Sequence, residues 1–395
     1  MSWRTAALSD LGQIIGGGTP STKEPLNFGD DYPWITPKDL SRQGQRYIDH
    51  GERGISIVGL TRSSAKLLPA GSVILSSRAP IGLTAIATVP VSTNQGCRSF
   101  VPGEDADSLF MYYLLGSMTD QMERLANGST FKEISGSTLA AIEVSVPHLE
   151  EQRAIAATLG ALDDKSESNQ RKLRLVDDLF QAKWRKVSSR TTTSRRLGDL
   201  VSTQYGLTAS ASVETEGPRF LRVTDINKAN WVSWSSVPSA NITETDWRKY
   251  RLTKGDLLVA RMADPGKSAI YDEESVDAVF ASYLVRLKAG SYAESLYLYG
   301  FLKSELYADY AAGATTGSVQ KNMNAKVIVD VDVPWPNVSE IDSFANSTAP
   351  LRAAINQLVR ECDDLRTLRD ALLPELLAGR LRVPESHENS HEVSA

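Results

Sequence analysis

The chain has 395 residues, 41% of them hydrophobic, and a formal net charge of −5. This length predicts two or three folding units, and the absence of a long apolar run or a secretory signal predicts a cytoplasmic protein that does not contact membranes. A protein that neutralises DNA phosphates by itself is expected to be basic. The acidic balance therefore leaves two alternatives: the chain does not bind DNA, or a partner supplies many of the phosphate contacts.

An internal repeat with a period near 185 residues organises the sequence. The segment KLLPAGSVILSSRAPIGLTAI at 66–86 aligns with YRLTKGDLLVARMADPGKSAI at 250–270, with Gly71 opposite Gly255. Each copy is typical of a glycine turn, a short apolar strand, a second turn and another strand. Matching segments before and after this pair, including two apolar runs that suit short buried helices, extend the alignment. We therefore expect two similar mixed α/β domains.

A heptad pattern follows each repeat. Residues 149–189 and 339–383 place apolar side chains at alternating steps of four and three, as in a coiled coil. Pro374 should end or kink the second helix. The expected seam consists of Ile155, Leu159, Leu162, Ser166, Asn169, Leu173, Val176, Phe180, Leu351, Ile355, Leu358, Cys362, Leu365, Leu372 and Leu376.

Neither helix has a partner for its seam in its own half of the sequence. Because one intact domain separates the helices, we expect them to form an antiparallel coiled coil, in which the polar Ser166 and Asn169 could fix the register. The alternative is that each helix packs only on its own domain. The predicted fold class is α+β, with a first domain at 1–148, a first long helix at 149–189, a second domain at 190–338, a second long helix at 339–383 and a polar disordered tail at 384–395.

Residues that could carry catalysis are scarce. Cys97 and Cys362 are far apart in sequence and are expected to be packed thiols, and the histidines are scattered. The segment DPGKSA at 264–269 ends like a phosphate-binding loop, but Arg261 stands where that loop requires glycine. We therefore expect a turn at Lys267, and no catalytic residue, metal site or cofactor in this chain.

Polar loops at matching points of the repeats carry side chains that suit DNA contacts. Arg pairs with guanine, Asn and Gln pair with adenine, Ser and Thr suit either base, and Lys suits phosphate. The candidates in the first repeat are Thr36, Lys38, Asp39, Ser77, Arg78, Asn94, Gln95, Ser129, Thr130 and Lys132. Those in the second repeat are Arg222, Thr224, Asp225, Arg261, Thr315, Thr316, Ser318, Gln320, Lys321 and Asn322. Solvated loops without a ligand are the alternative for each segment.

The order of domain, long helix, domain and long helix resembles the specificity subunit of type I restriction-modification systems. The similarity runs from about residue 8 to residue 383 and is carried by PWITPKDL at 33–40, LPAGSVILSSRAPIG at 68–82, VPHLEEQRAIAATLGALD at 146–163 and LRDALLPELLAGRLRV at 368–383. The second helix departs from the pattern, because its start lacks a segment like Val146 to Gln152, which leads into the first helix.

This resemblance implies a non-catalytic subunit whose two domains each recognise one half of a bipartite target in double-stranded DNA. It implies that the helices set the gap between the halves and dock two methyltransferase subunits, which bind S-adenosylmethionine and methylate adenine. Restriction and translocase subunits can join such a complex. A coiled-coil scaffold whose duplicated domains bind proteins instead of DNA is the alternative function, and a nucleotide-dependent enzyme built on Lys267 is a third.

Overall fold

A computed structural model describes residues 3–128, 132–212, 216–315 and 322–383. The described residues form two compact units. Unit 1 contains those up to Asp164 together with those from Thr367 onward, and unit 2 is Lys165–Arg366. Within the described ranges, no helix is both long and apolar enough to cross a membrane. The predicted tail at 384–395 lies outside the described residues.

The first repeat lies in unit 1. Its strands are β1 Arg4–Ala7, β2 Gly12–Gly16, β3 Phe28–Ile35, β4 Tyr47–Ile48, β5 Arg53–Ile55, β6 Leu67–Leu68, β7 Val73–Ser77, β8 Ile81–Ala87, β9 Val91–Thr93, β10 Arg98–Pro102 and β11 Glu143–Val146. Its helices are α1 Leu8–Leu11, α2 Pro37–Gln43, α3 Ile57–Thr61, α4 Ser108–Ser117, α5 Thr119–Leu125 and α6 Gly136–Ala140, and a short 3-10 helix lies at Pro25–Asn27. The strands form sheets of order β2-β10-β7-β8-β4, β5-β3-β9-β6 and β1-β11. The long helix α7, Leu149–Ser188, follows and continues into unit 2.

The second repeat lies in unit 2. Its strands are β12 Ser194–Arg196, β13 Val201–Tyr205, β14 Ala211–Ser212, β15 Arg219–Leu221, β16 Ser239–Ala240, β17 Asp256–Ala260, β18 Ser268–Tyr271, β19 Ala278–Phe280, β20 Leu284–Ala289 and β21 Asp332–Pro334. Its helices are α8 Leu197–Leu200, α9 Val223–Ile226, α10 Glu244–Tyr250, α11 Tyr292–Leu302, α12 Glu305–Ala314 and α13 Ala325–Ile328, with a 3-10 helix at Trp234–Ser236. The long helix α14, Val338–Leu377, follows. Its sheets have the orders β13-β20-β17-β18, β14-β16-β15-β19 and β12-β21.

The two repeats have the same backbone arrangement, which confirms the predicted fold class. Four strands of the main sheet occur in the same order, because β13-β20-β17-β18 corresponds to β2-β10-β7-β8. The turn after the central strand is also the same: Ala79 and Ala263 both have positive φ, at 48° and 65°. Non-glycine residues rarely adopt this conformation, so its recurrence at aligned positions indicates one turn design used twice.

The glycines that close these turns allow a helix to approach. Gly82 and Gly266 have φ values of 93° and 91°. A Cβ atom at Gly82 would lie 2.2 Å from the Thr119 hydroxyl oxygen on α5, and one at Gly266 would lie 2.6 Å from the Ala311 Cβ atom on α12. Both distances are too short for any side chain, so glycine is required at both aligned positions.

The predicted short buried helices are α4 and α11, at the centre of the two cores. Phe110 and Met111 of α4 are fully buried among strands of the main sheet, and every residue from Ser295 to Leu302 of α11 is buried. A helix that is apolar on all sides is stable only when it is enclosed. These helices therefore fix the cores against which the main sheets pack.

The helices α7 and α14 run antiparallel. Within unit 2, the contacting pairs have increasing residue numbers on α7 and decreasing residue numbers on α14. These pairs are the Ser166 carbonyl with the Cys362 thiol at 3.8 Å, the Asn169 amide with Glu361 at 2.9 Å, and the Phe180 ring with the Phe344 ring at 5.7 Å between centroids. None of the predicted seam residues is exposed. Asn169 is fully buried, and its contact with Glu361 gives the polar seam position a specific partner.

The ends of both long helices also belong to the domain cores. In unit 1, Ile155 and Leu159 of α7 and Leu376 of α14 pack into the core that contains α4. In unit 2, a second set of helix residues packs into the core that contains α11: Phe180, Trp184, Ile341 and Phe344. The helices thus pair with each other and also pack on the domains, so the two predicted alternatives occur together.

Polar contacts lock the first long helix onto unit 1. The buried guanidinium of Arg46 donates to the Gly160 carbonyl at 3.2 Å and pairs with Asp164, and the Tyr113 hydroxyl donates to Asp163 at 2.6 Å. Each of these groups has a partner, which offsets the free-energy cost of its burial.

The second long helix ends at Leu377, earlier than the predicted boundary at 383. Pro374 lies inside its last turn without breaking it. Gly379 adopts φ 66° and its N–H donates to the Leu376 carbonyl at 3.2 Å. A left-handed glycine just beyond the last turn is a common helix terminator, and it ends α14 here.

Substitution of the helix seam should destabilise the chain in a position-specific way. Leu173→Ala removes a side chain that is 1% exposed between the helices. We expect it to lower the free energy of unfolding by about 2–5 kcal/mol, because the cavity cannot be refilled. Leu175→Ala is the matched control, since Leu175 is 67% exposed on the same helix and its loss should change stability by less than about 0.5 kcal/mol. Denaturant unfolding followed by circular dichroism compares them, and equal effects would contradict the observed pairing.

Candidate nucleic-acid interface

Two predicted loops prove to be helix caps at aligned positions. In the first repeat, the Thr36 hydroxyl donates to Asp39 at 2.6 Å and caps α2, and Asp39 is 8% exposed. Lys38 is exposed and pairs with Glu52 at 2.8 Å. These contacts assign Thr36 and Asp39 to the local fold, and they leave Lys38 as the side chain of this loop that solvent reaches.

The same cap recurs in the second repeat with different chemistry. Arg222 takes the place of Thr36 and forms an ion pair with Asp225 at 2.9 Å at the start of α9. Hydrogen bonding to this carboxylate raises the pKa of Arg222 above its ordinary value. Thr224 is exposed beside it.

The ends of β7 and β10 bring several candidates of the first repeat together. Glu133 pairs with Arg98 at 2.9 Å and with Arg78 at 3.6 Å, so one carboxylate faces two guanidinium groups. Gln95 is exposed in the adjacent turn, and its carbonyl accepts a hydrogen bond from Arg98 at 3.2 Å. The result is a partly exposed polar cluster with one net positive charge.

Other candidates near this cluster support the backbone. Ser77 is fully buried, and its hydroxyl donates to the Gly96 carbonyl at 3.1 Å. The Asn94 side chain accepts from the Gly96 N–H at 2.9 Å. A base contact by Ser77 would need its buried hydroxyl to become exposed, so its place in the fold favours a structural role. Lys132 is exposed next to Glu133, whereas Ser129 and Thr130 lie outside the described residues.

The thiol of Cys97 lies beneath this turn and is not a nucleophile. Its sulfur is 3.8 Å from the Asn94 side-chain oxygen, and the residue is fully buried. Burial raises the pKa of the Cys97 thiol to about 12, so the reactive thiolate does not form near neutral pH. Cys362 is also a buried free thiol.

The second repeat places Arg261 at the position of Ser77. The Ser77 N–H donates to the Gly96 carbonyl at 2.8 Å, and the Arg261 N–H donates to the Tyr283 carbonyl at 3.0 Å. The backbone carbonyl of Arg261 accepts a hydrogen bond from the Met323 N–H at 2.9 Å. The backbone carbonyl of Ser77 accepts one from the Ile134 N–H at 3.1 Å. These paired contacts establish that the two sites have one backbone and different side chains.

The remaining candidates of the second repeat differ in exposure, and several lie outside the described residues. Asn322 is exposed, and its side-chain oxygen lies 3.5 Å from the Arg261 guanidinium. Thr315 is 8% exposed and donates to the Ala311 carbonyl at 3.0 Å at the end of α12, which favours a structural role. The other candidates lie outside the described residues: Thr316, Ser318, Gln320 and Lys321.

The segment around Lys267 is a turn, as expected. The Lys267 N–H donates to the Asp264 carbonyl at 3.2 Å, and the Gly266 N–H donates to the Ala260 carbonyl at 3.0 Å. These amides are used within the turn, whereas a phosphate-binding loop presents its amides to the ligand. Across the described ranges, no group of His, Cys, Asp and Glu side chains could hold a metal ion.

Comparison with known proteins finds similarities that agree with one another. A family model described as type I restriction modification DNA specificity domain matches residues 2–176. The chain is 28% identical to the type I restriction enzyme MjaIX specificity subunit of Methanocaldococcus jannaschii, over 97% of this chain and 94% of that protein. The chain is therefore similar to type I restriction enzyme specificity subunits over almost its whole length.

Further relatives agree with this assignment. The type I restriction enzyme HindI specificity subunit of Haemophilus influenzae is 37% identical over 38% of this chain and 32% of that protein. The type I restriction-modification system S subunit from M. genitalium has the same fold, with a TM-score of 0.62 at 15% identity, over 95% of this chain and 96% of that one. These relatives are all named as specificity subunits, in agreement with the predicted role of this chain.

The sequence analysis did not predict some residues of the candidate interface. Arg98 shares Glu133 with Arg78. The exposed Tyr205 ring lies against the Arg261 guanidinium, and the exposed Tyr283 accepts the Arg261 N–H through its backbone carbonyl. Tyr205 and Tyr283 stand at strand ends, where an aromatic residue suggests core packing from sequence alone. Arginine and tyrosine residues next to aligned turns were the signal available in the sequence.

The cluster of the first repeat yields a paired prediction. Arg78→Gln should weaken DNA binding by the assembled complex by on the order of 10-fold, because it removes a partly exposed guanidinium that suits a base or a phosphate. Ser77→Ala should leave DNA affinity within about twofold and cost about 1 kcal/mol of stability through its lost hydrogen bond. Fluorescence anisotropy with a target duplex measures both variants. A larger loss of affinity in Ser77→Ala would refute the structural role assigned to it.

Proposed function

We propose that this chain is a specificity subunit that recognises a bipartite DNA target, with each repeat contacting one half. The observation that carries the proposal is the duplicated domain, which presents different side chains at aligned positions such as Ser77 and Arg261. Two copies of one backbone suit two half-sites, as the two halves of a homodimer suit a palindrome. The differing side chains favour half-sites of different sequence.

The partners proposed for this chain are two methyltransferase subunits, which bind S-adenosylmethionine and methylate adenine in the target. Restriction and translocase subunits join them in a complete system, and the complex acts in the cytoplasm. The net charge of −5 supports shared phosphate contacts, because a chain with this balance gains little from counterion release by itself. The match to a DNA specificity domain favours this function over a protein-binding scaffold.

The proposed role of α7 and α14 is to set the gap between the half-sites. Their antiparallel pairing, the buried Asn169 and the use of both helix ends in domain cores support a spacer of fixed length. A helix extends by about 1.5 Å for each residue. The length of the pair would therefore determine how many base pairs remain without contact.

Mapping of adenine methylation tests the proposed function directly. The chain is co-expressed with its genomic neighbours, and the DNA of the host is analysed by long-read sequencing. We expect a methylated two-part motif with a constant gap that disappears when this chain is deleted. If a methyltransferase co-purifies but the motif survives the deletion, the specificity lies elsewhere and the scaffold function takes its place.

Lengthening of the helices tests the spacer role. One heptad is inserted after Asp164 in α7 and one after Arg366 in α14, where the chain passes between its two units. The insertion adds about 10 Å of helix and should lengthen the unread gap by at most about three base pairs, with both half-sites unchanged. Insertion into one helix alone is the control and should abolish methylation, because it breaks the pairing. An altered half-site in the double insertion would contradict the spacer role.

A further inference from the structure

We infer that Arg261, stacked on Tyr205, recognises a guanine in the half-site contacted by the second repeat. This inference rests on the proposed function and assigns one base contact to one side chain. Arg261 is the first residue after the central strand β17, and Tyr205 is the last residue of β13 in the same sheet.

The Arg261 guanidinium is held in place by an aromatic surface. Its central carbon lies 5.0 Å from the centre of the Tyr205 ring. The ring is itself fixed, because the Tyr205 hydroxyl accepts a hydrogen bond from the Ala325 N–H at 2.9 Å. Stacking on a fixed ring restricts the rotamers of arginine before any ligand binds, which reduces the entropy lost on binding.

The charge of Arg261 is not neutralised within the described part of the chain. Among the described residues, the one side-chain hydrogen bond of its guanidinium is the contact with Asn322 at 3.5 Å, and none of the ion pairs there includes Arg261. The buried Nε atom also lacks a hydrogen-bond partner among those residues. In the first repeat, by contrast, Arg78 and Arg98 share the carboxylate of Glu133. Arg261 therefore retains the capacity to bond an external acceptor.

The surroundings of Arg261 are exposed and suit a nucleic-acid base. Tyr205 is 43% exposed, Tyr283 is 55% exposed, and Asn322 is exposed as well. The first repeat has Gly16 and Gly96 at the positions of the two tyrosines, so this aromatic setting belongs to the second repeat alone among the aligned positions. Large exposed aromatic side chains beside an unneutralised arginine are typical of a binding surface.

Guanine is the acceptor that matches this side chain. It presents two acceptors, O6 and N7, in the major groove, and the terminal nitrogens of arginine donate to both at once. Lysine carries the same charge but lacks the planar fork, so the two residues separate base recognition from simple attraction to phosphate.

Arg261→Gln and Arg261→Lys in the co-expressed complex test the inference. The wild-type motif should contain a guanine in one half. In Arg261→Gln, the preference for that guanine over other bases should fall by about 5- to 150-fold, while the other half and the remaining positions stay unchanged. Arg261→Lys should lose the same preference and retain most of the overall DNA affinity. Methylation mapping and competition binding with singly substituted duplexes measure both effects.

Lys288→Gln is the matched charge control. Lys288 is exposed on β20, five residues along the chain from Tyr283, so its replacement removes a positive charge from the same sheet without touching the Arg261 site. It should leave the motif unchanged. Co-purification of the methyltransferase and an unchanged circular dichroism spectrum establish that each variant is folded.

The outcomes separate this inference from the proposed function. A wild-type complex without a chain-dependent motif overturns the proposed function. A wild-type motif that Arg261→Gln leaves unaltered overturns only the guanine contact. A third outcome is an equal loss of affinity for every duplex, together with a salt dependence of binding that is weaker by about one phosphate contact. This outcome assigns Arg261 to a contact with the DNA backbone and also overturns the guanine contact.

Discussion

The apolar seams of α7 and α14 are removed from water because they pack against each other, although contacting seam residues such as Ser166 and Cys362 are 196 positions apart in sequence. The rest of the structure depends on this pairing, because the ends of the same two helices complete the cores of both units. Asn169 and Glu361 illustrate the specificity of the contact: donation from the Gln357 and Asn169 amides holds the pKa of Glu361 below its ordinary value. A charged acceptor for a buried amide favours one register over its neighbours.

The duplicated domain separates what the fold requires from what recognition can vary. Close helix approach demands glycine at Gly82 and Gly266, and the turns at Ala79 and Ala263 share an unusual backbone conformation. Side chains on the exposed side of the same turns differ in size, charge and aromaticity. The aligned pairs are Gly16 and Tyr205, Ser77 and Arg261, Gly96 and Tyr283, and Glu133 and Asn322. A rigid backbone with variable exposed groups is suited to the recognition of two different half-sites.

The acidic net charge agrees with the proposed multisubunit complex. A subunit that supplies base contacts needs few exposed cations if its partners contact the phosphates, since phosphate contacts give affinity and base contacts give specificity. The pairing of Arg78 and Arg98 with Glu133 is consistent with this division, because it limits nonspecific attraction to DNA. Buried Cys97, with its raised pKa, does not supply a nucleophile, and the turn at Lys267 does not form a phosphate-binding loop.

The sequence by itself determined the repeat, the two long helices, the short buried helices and the lack of catalytic motifs, because each of these depends on local periodicity or on alignment of the chain with itself. It did not determine which polar side chains face solvent. Ser77 and Thr315 are buried and bonded to backbone carbonyls, whereas Arg98, Tyr205 and Tyr283 join the candidate interface. Strand register and loop packing decide this, and they bring together residues as distant as Tyr205 and Ala325, 120 positions apart. Local sequence carries no record of such contacts, so only the tertiary structure could place them.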